Sequence, residues 1–172
     1  MIKWTFRETI LYQEEQITSD SRKFEILIEA YLKERYPLEN WKLTKATRDG
    51  NRDLENICEF TGISMWAEAK YTIHTEKNID SRKYDSTLVS SISEKNLIKI
   101  FFITNTSIGT NLISRIRTFF YLSEIKEIAF LDGYTLSYWI KKHPDIEQRF
   151  FKKPISFTPS TTPNVKLYCV RM

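Results

Sequence analysis

The sequence has few of the residues that build common metal and cofactor sites. Its two cysteines, Cys58 and Cys169, are far apart, and with only His74 and His143 as histidines they lack the clustered pattern of a structural zinc site. Its four glycines are too scattered for a P-loop or a dinucleotide-binding fingerprint. The composition therefore disfavours zinc enzymes, P-loop proteins and Rossmann-type dehydrogenases.

Long apolar runs are also absent. No segment approaches the roughly 20 apolar residues that cross a bilayer. Charged residues interrupt the stretch from Met1 to Gln16, which therefore does not resemble a signal peptide. We expect a cytoplasmic protein without a membrane span, in a compartment where its thiols stay reduced.

The composition is that of a globular domain with a slightly basic surface. The 172 residues are 41% hydrophobic and 14% aromatic, which is sufficient for one buried core. Lys and Arg number 26 against 22 Asp and Glu, a net charge of +4. This balance suits a polyanionic partner without requiring one.

Hydrophobic periodicity predicts alternating strands and helices. A short edge strand around Ile2, Trp4 and Phe6 comes first, and the following elements fall at about 22–35 (helix), 41–43 (strand), 53–60 and 63–71 (a hairpin), 81–95 (helix), 98–104 (strand), 108–121 (helix), 128–131 (strand) and 134–142 (helix). Late strands separated by helices tend to run parallel. The order predicts an α/β fold with a mixed central sheet flanked by helices.

The second arm of the hairpin carries charged residues in an apolar strand. Its period of two places Glu68 and Lys70 on one face, and Asp53 opens the paired arm. Two converging carboxylates repel each other unless a cation lies between them, and Mg²⁺ prefers hard oxygen ligands. Such a metal can acidify water and neutralise charge on a phosphate, while Lys70 can orient the water or stabilise the transition state.

A third carboxylate could come from the first helix, where Glu25 and Glu29 lie one turn apart. Spacing alone does not choose between them. The alternative interpretation is that Glu68 and Lys70 form an ordinary ion pair, since Glu-x-Lys is a weak pattern that recurs at Glu124 and Lys126. The second copy lacks an upstream Asp on a paired arm, so we expect it to lie elsewhere.

Taken in order, these motifs resemble Mrr-like restriction endonuclease domains of the PD-(D/E)xK superfamily. The resemblance covers roughly residues 20–140 and rests on Phe24-Glu25, the segment 49–53, the segment 68–71, the buried run 100–104, and Leu131-Asp132-Gly133 with Leu136. It implies a restriction-endonuclease-like three-layer fold and metal-dependent hydrolysis of DNA phosphodiesters. Asp53, Glu68 and Lys70 match the family's catalytic residues, and Glu25 matches its helical Glu. Arg52 departs from the Pro of the superfamily name, and Asn51 from a frequent Gly.

Three further residues are candidates for DNA contacts. Arg82 and Lys83 begin a helix near the expected site, where basic side chains and a helix N-terminus could hold phosphate, and His74 follows the site strand. A solvated surface is the alternative for each. Trp66 and Tyr71 could stack on bases, but core packing is the favoured interpretation.

We therefore expect a magnesium-dependent endodeoxyribonuclease, with Mn²⁺ able to replace Mg²⁺ and with Asp53, Glu68 and Glu25 as metal ligands. The resemblance points to the effector of a prokaryotic restriction or antiviral defence system. The alternatives are a non-catalytic nucleic-acid-binding or interaction domain of the same fold, and a structure-specific nuclease acting on junctions or RNA. Two DNA strands and one site per chain make a homodimer plausible.

The end of the sequence breaks the alternation of helix and strand. We expect the nuclease domain to occupy residues 1–150, because the Pro-, Ser- and Thr-rich stretch from Phe151 is typical of a linker. The segment from Val165 to Val170 alternates like a strand, which must pair with this domain or begin another one. A fused sensor domain is one possibility.

Overall fold

The computed structural model describes residues 2–44, 52–75, 77–121 and 125–158. Its strands are β1 (Ile2–Lys3), β2 (Ile10–Tyr12), β3 (Glu15–Ile17), β4 (Lys42–Leu43), β5 (Leu54–Ile57), β6 (Ser64–Lys70), β7 (Leu97–Thr104), β8 (Glu127–Leu131) and β9 (Ser156–Phe157). Its helices are α1 (Asp20–Arg35), α2 (Asp85–Ile92), α3 (Thr110–Phe120), α4 (Gly133–Lys142) and α5 (Pro144–Phe150). A 3-10 turn, Ser81–Tyr84, leads into α2.

The central sheet has five strands in the order β4-β5-β6-β7-β8. The first three are antiparallel neighbours, whereas β6, β7 and β8 run parallel. Parallel neighbours require crossovers, which α2 and α3 supply. The carboxyl ends of β6, β7 and β8 therefore share one end of the sheet with the amino end of β5. The predicted mixed sheet is confirmed.

Helices cover both faces of this sheet because β6 and β7 bury side chains on each. Ala67 and Ala69 lie in a core with residues of α1 and α4, whereas Trp66 lies in a second core with residues of α2 and α3. Phe101 and Phe102 on β7 divide in the same way. The three-layer α/β fold class that the sequence predicted is therefore confirmed. No helix in the described part is both long and apolar enough to cross a membrane.

The segment after α5 packs against the first residues of the chain. β9 pairs antiparallel with β1, and Phe151 forms a bridge with Phe6, whose ring stacks on it at 4.9 Å. Phe151 and Ile155 are both buried. Residues 151–158 therefore belong to the packed domain, and the expected linker does not begin at Phe151. The expected strand from Val165 lies outside the described residues.

The helix expected at 81–95 is shorter and presents a different face. Its first turn is the 3-10 turn, and α2 ends at Ile92. The predicted apolar side consisted of Leu88, Val89 and Ile92. Leu88 is buried as predicted, but Val89 and Ile92 are both 66% exposed, and Tyr84 and Thr87 are buried with Leu88. The prediction assumed one continuous α-helix, whereas the tighter 3-10 turn places Tyr84 in the core and rotates α2 about its own axis.

The packing of Phe151 leads to a stability prediction. The Phe151→Ala variant should lower the free energy of unfolding by about 3–5 kcal/mol, because it leaves a cavity beside Phe6 and Trp4. Phe60→Ala is the matched control, since that ring is 99% exposed and its removal should change stability by less than about 0.5 kcal/mol. Denaturant unfolding measures both. Equal effects would show that Phe151 does not contribute to the core.

Candidate active site

Asp53 and Glu68 lie opposite each other where β5 meets β6. The register pairs Leu54 with Ala67, so the next antiparallel pair joins Asp53 to Glu68. The Asp53 amide donates to the carbonyl of Ala67 at 3.0 Å, and the amide of Ala69 donates to Asp53 Oδ2 at 2.7 Å. These two bonds flank Glu68 and hold the Asp53 carboxylate at this end of the sheet.

Glu68 is a buried acid with one oxygen unused. Only 1% of the residue is exposed. Oε1 forms an ion pair with Lys70 Nζ, whereas Oε2 is buried without a hydrogen-bond partner among the described residues. Burial and then the charge of Asp53 raise the pKa of Glu68 to about 8, although Lys70 and the Thr87 hydroxyl oppose the shift. An unsatisfied buried carboxylate oxygen is costly, and a cation would satisfy it.

Lys70 supplies positive charge to the same cluster. Strand alternation places it on the same face as Glu68, with 28% of its side chain exposed. Burial lowers the pKa of Lys70, but attraction to Glu68 and Asp53 outweighs burial and raises the pKa overall. Burial also raises the pKa of Asp53, against the charge of Lys70 and the hydrogen bond from Ala69. Lys70 therefore remains an ammonium beside two acids whose ionisation is opposed by burial.

Of the two acids on α1, Glu25 is the one that faces this cluster. Burial and the charge of Asp53 raise the pKa of Glu25, whereas Arg22 and Lys70 lower it. Its Oε2 accepts a 2.6 Å bond from Arg22. Glu29 points elsewhere, since its carboxylate bonds the Tyr12 hydroxyl at 2.8 Å and Lys33 Nζ at 2.9 Å. Glu25 therefore lies on the side of the cluster, while its role as the third carboxylate stays a prediction.

Three further residues lie around the cluster, and sequence reasoning missed Arg22 and Thr87 as members of the site. Arg22 holds Glu25, and the only signal for it was the i, i+3 spacing on α1. Thr87 is fully buried, and its hydroxyl opposes the rise in the pKa of Glu68. Tyr84 is also buried and donates to the carbonyl of Ile103 at 2.8 Å. Burial and the charges of Glu68 and Asp53 raise the pKa of Tyr84. A threonine on an otherwise apolar helix face was the available signal for Thr87.

The donor set fits a magnesium ion held by two protein carboxylates. Mg²⁺ keeps several waters and uses one or two carboxylates with phosphate oxygens. The free oxygen of Glu68 and the neighbouring Asp53 carboxylate match that requirement. Within the described residues no group of three or more Asp, Glu, His or Cys is placed to hold a metal. The Glu25 carboxylate is paired with Arg22, so ligation by Glu25 stays a prediction.

The three residues predicted to contact DNA are exposed, two of them on the 3-10 turn and one in the loop after β6. Arg82 pairs with Asp80 at 2.8 Å, and Asp80 also caps the 3-10 turn by accepting from the Arg82 amide. That cap puts a negative charge where a phosphate was expected, so the turn's N-terminus is a poor anion site. Lys83 is exposed on the same turn, and His74 is exposed in the loop after β6.

Trp66 and Tyr71 pack against other residues of the protein, as expected, whereas the second Glu-x-Lys pattern lies only partly within the described residues. Trp66 is 2% exposed, with the Arg52 guanidinium 4.7 Å from its ring centroid. Tyr71 packs against Phe6 and Phe24. The Trp66 ring is therefore not available to stack on a base, whereas Tyr71 is half-buried. Lys126 is exposed, and Glu124 lies outside the described residues.

Comparisons with known proteins give a similarity in fold alone. No family model and no curated protein matches the sequence. Among solved structures, the chain is similar to one described as MspJI restriction endonuclease in complex with a 27-mer oligonucleotide, with a TM-score of 0.49 and 16% identity. The similarity covers 69% of this chain and 27% of the MspJI chain. The chain therefore spans about a quarter of the length of that protein.

Proposed function

We propose that this protein is a metal-dependent nuclease whose active site consists of Asp53, Glu68 and Lys70. The observation that carries the proposal is the state of Glu68. It is buried opposite a second acid, with one oxygen bound to Lys70 and the other without a partner among the described residues. A structural ion pair gains nothing from a second buried acid, whereas a metal site requires one.

Different residues of the proposed site would bind the metal and the phosphate. Asp53 and Glu68 would hold Mg²⁺, or Mn²⁺ in its place, and Lys70 would donate to the attacking water or to a phosphate oxygen. When bound, the metal supplies positive charge that stabilises the phosphate transition state and makes water more acidic. Lys70 is already protonated beside Glu68, so its proposed role is to orient and to stabilise charge, not to accept a proton.

Glu25 is proposed as a residue that positions the site. The charges of Asp53 and Lys70 influence the pKa of Glu25, but the Glu25 carboxylate itself is bound by Arg22. Through the Arg22–Glu25 pair, α1 would set the net charge next to Asp53. Ligation by Glu25 itself would require Arg22 to release it, for example when the substrate phosphate attracts the guanidinium.

The substrate we propose is DNA, in keeping with the resemblance to Mrr-like domains and the net charge of +4. The wider proposal is a cytoplasmic restriction or defence effector that cuts two strands as a homodimer, with control by a fused sensor domain. Arg82, Lys83 and His74 would contact the DNA backbone. Their exposure permits this role.

A non-catalytic binding domain is the competing function, favoured by the intact Glu68–Lys70 pair and by the two-acid donor set. A supercoiled plasmid incubated with the protein and Mg²⁺, and in parallel with a chelator, separates the two. The nuclease nicks or linearises the plasmid only with Mg²⁺. Binding without cleavage under both conditions would refute the enzyme. Panels of junction DNA and RNA test the structure-specific alternative.

The two acids of α1 provide a matched pair for mutation. Glu25→Gln should slow cleavage by about ten- to a hundredfold, because residues that orient metal ligands carry effects of that size. Glu29→Gln should leave the cleavage rate unchanged, since Glu29 bonds Tyr12 and Lys33 and not the cluster. Single-turnover rates at saturating Mg²⁺ measure both. A larger loss for Glu29→Gln than for Glu25→Gln would show that the wrong acid has been assigned.

A further inference from the structure

A cleft of about 350 Å³ between α1 and α4 has no role in the proposed reaction. Its walls carry Tyr31, Tyr138 and Trp139, and the rings of Tyr31 and Trp139 meet edge to face at 5.2 Å. Tyr138 is 48% exposed, so aromatic surface remains available. Binding sites for small molecules begin at about this volume and combine aromatic walls with a few polar groups.

The polar groups of the cleft are mostly basic. Arg35, Lys142 and His143 line it together with one acid, Glu34. That acid is already engaged, since Glu34 Oε2 accepts from Trp139 Nε1 at 3.1 Å and Oε1 lies 2.9 Å from His143 Nε2. Within the described ranges, Arg35 and Lys142 have no ion-pair partner. The cleft therefore offers two cations beside aromatic rings.

The cleft is separate from the candidate active site. Glu25 faces Asp53, and Glu34 lies nine residues further along the same helix, which corresponds to about 13 Å. α4 begins after β8, at the end of the sheet that holds the catalytic cluster, and Lys142 and His143 lie at its other end. A ligand in the cleft would not touch Asp53, Glu68 or Lys70.

We propose that this cleft binds a nucleoside phosphate. A planar base has a π-face that stacks on tyrosine or tryptophan, and a phosphate makes charge-assisted bonds to arginine and lysine. A nucleoside phosphate uses both features, whereas an apolar ligand leaves Arg35 and Lys142 unused and an inorganic anion leaves the rings unused. The volume suits one nucleotide unit.

Tryptophan fluorescence with AMP as the probe tests the proposal. Trp4, Trp41 and Trp66 are buried in the cores, so stacking in the cleft should quench Trp139 alone. We expect saturable quenching by AMP that the Trp139→Phe variant loses. Adenosine and inorganic phosphate, added separately at the same concentrations, should not reproduce it. Saturable quenching by either one would overturn the nucleotide class, and no saturable quenching by AMP would overturn the site.

Variants locate the phosphate contact. The double variant Arg35→Gln with Lys142→Gln should bind AMP at least about tenfold more weakly, because it loses two charge-assisted bonds. Lys95→Gln removes an exposed charge that does not line the cleft and should bind normally. Asp53→Asn should also bind AMP normally, which distinguishes this site from the active site. Unchanged affinity in the double variant, or lost affinity in Asp53→Asn, would refute the assignment.

Discussion

Replacing Asp53 with asparagine will reduce DNA cleavage by roughly 10³-fold or more without weakening DNA binding. The side chain keeps its size, and its amide oxygen can still accept the 2.7 Å bond from the Ala69 amide. The variant loses the charge that is proposed to hold the metal beside Glu68. Affinity for DNA should stay the same or increase, because one negative charge is removed from a surface that approaches phosphates.

Asp85→Asn is the matched control for this variant. Asp85 is a surface acid paired with Arg115 at 2.7 Å, and it belongs to α2 outside the cluster. Cleavage by this control should match that of the parent protein. Single-turnover cleavage and a binding titration in Ca²⁺ separate chemistry from affinity. Equal cleavage by Asp53→Asn and the parent would end the metal role of Asp53.

Glu68→Gln will be inactive at every pH, and it will also remove part of the pH dependence of stability. The pKa of Glu68 is raised from 4.5 to about 8, mainly by burial. The folded state therefore favours the protonated acid. Its contribution to stability is fully present below about pH 4.5 and is lost as the pH rises to about 8. Glutamine resembles the neutral acid, so the metal-free variant should unfold at a higher temperature than the parent above pH 8.

Thermal unfolding of parent and variant in chelator, from pH 5 to pH 9, measures this difference. The gap in Tm should widen with pH up to about 8 and then stay constant, while contributions from other acids cancel between the two proteins. At Mg²⁺ concentrations below saturation, cleavage by the parent should rise over the same pH range, because only ionised Glu68 holds metal well. A gap in Tm that does not vary with pH would mean that Glu68 is ionised in the metal-free fold.

Much of the fold could be predicted because the residues with a strong hydrophobic periodicity in the sequence are also the residues that are buried. The apolar run of β7 and the helical spacing of α1 gave boundaries within two residues. Gly62, with φ +68°, forms the turn expected between β5 and β6. The β2–β3 hairpin was missed because Gln13 and Glu14 take positive φ where Gly or Asn would have signalled a turn.

The last elements were missed for a different reason. α5 begins at Pro144, because proline suits the first turn of a helix as well as the residues after a helix end, and the sequence alone does not distinguish the two. Phe151 comes directly after that helix, in a segment whose prolines suggested a linker. Its burial depends on Phe6 and Trp4, about 145 residues earlier in the chain. No local sequence pattern predicts a contact between residues so far apart in the chain.

The site was predictable where it depended on one hairpin. Strand alternation places Glu68 and Lys70 on the same face, and the pairing of two adjacent strands brings in Asp53. Glu25 could not be distinguished from Glu29 by sequence, since both lie beside the apolar face of α1 and only their tertiary partners differ. The pairing of Arg82 with Asp80 also depends on the local fold of a 3-10 turn.

The most direct test of the central claim is to locate the metal by anomalous diffraction from crystals grown with Mn²⁺. The proposed site predicts a peak within about 2.0–2.3 Å of a carboxylate oxygen of Asp53 and of Glu68. The Glu68 oxygen should be Oε2, which has no partner among the described residues, with Lys70 still bound to Oε1. The Asp53→Asn variant should lack the peak. A strong peak elsewhere, or none at this pair in the active protein, would contradict the proposal.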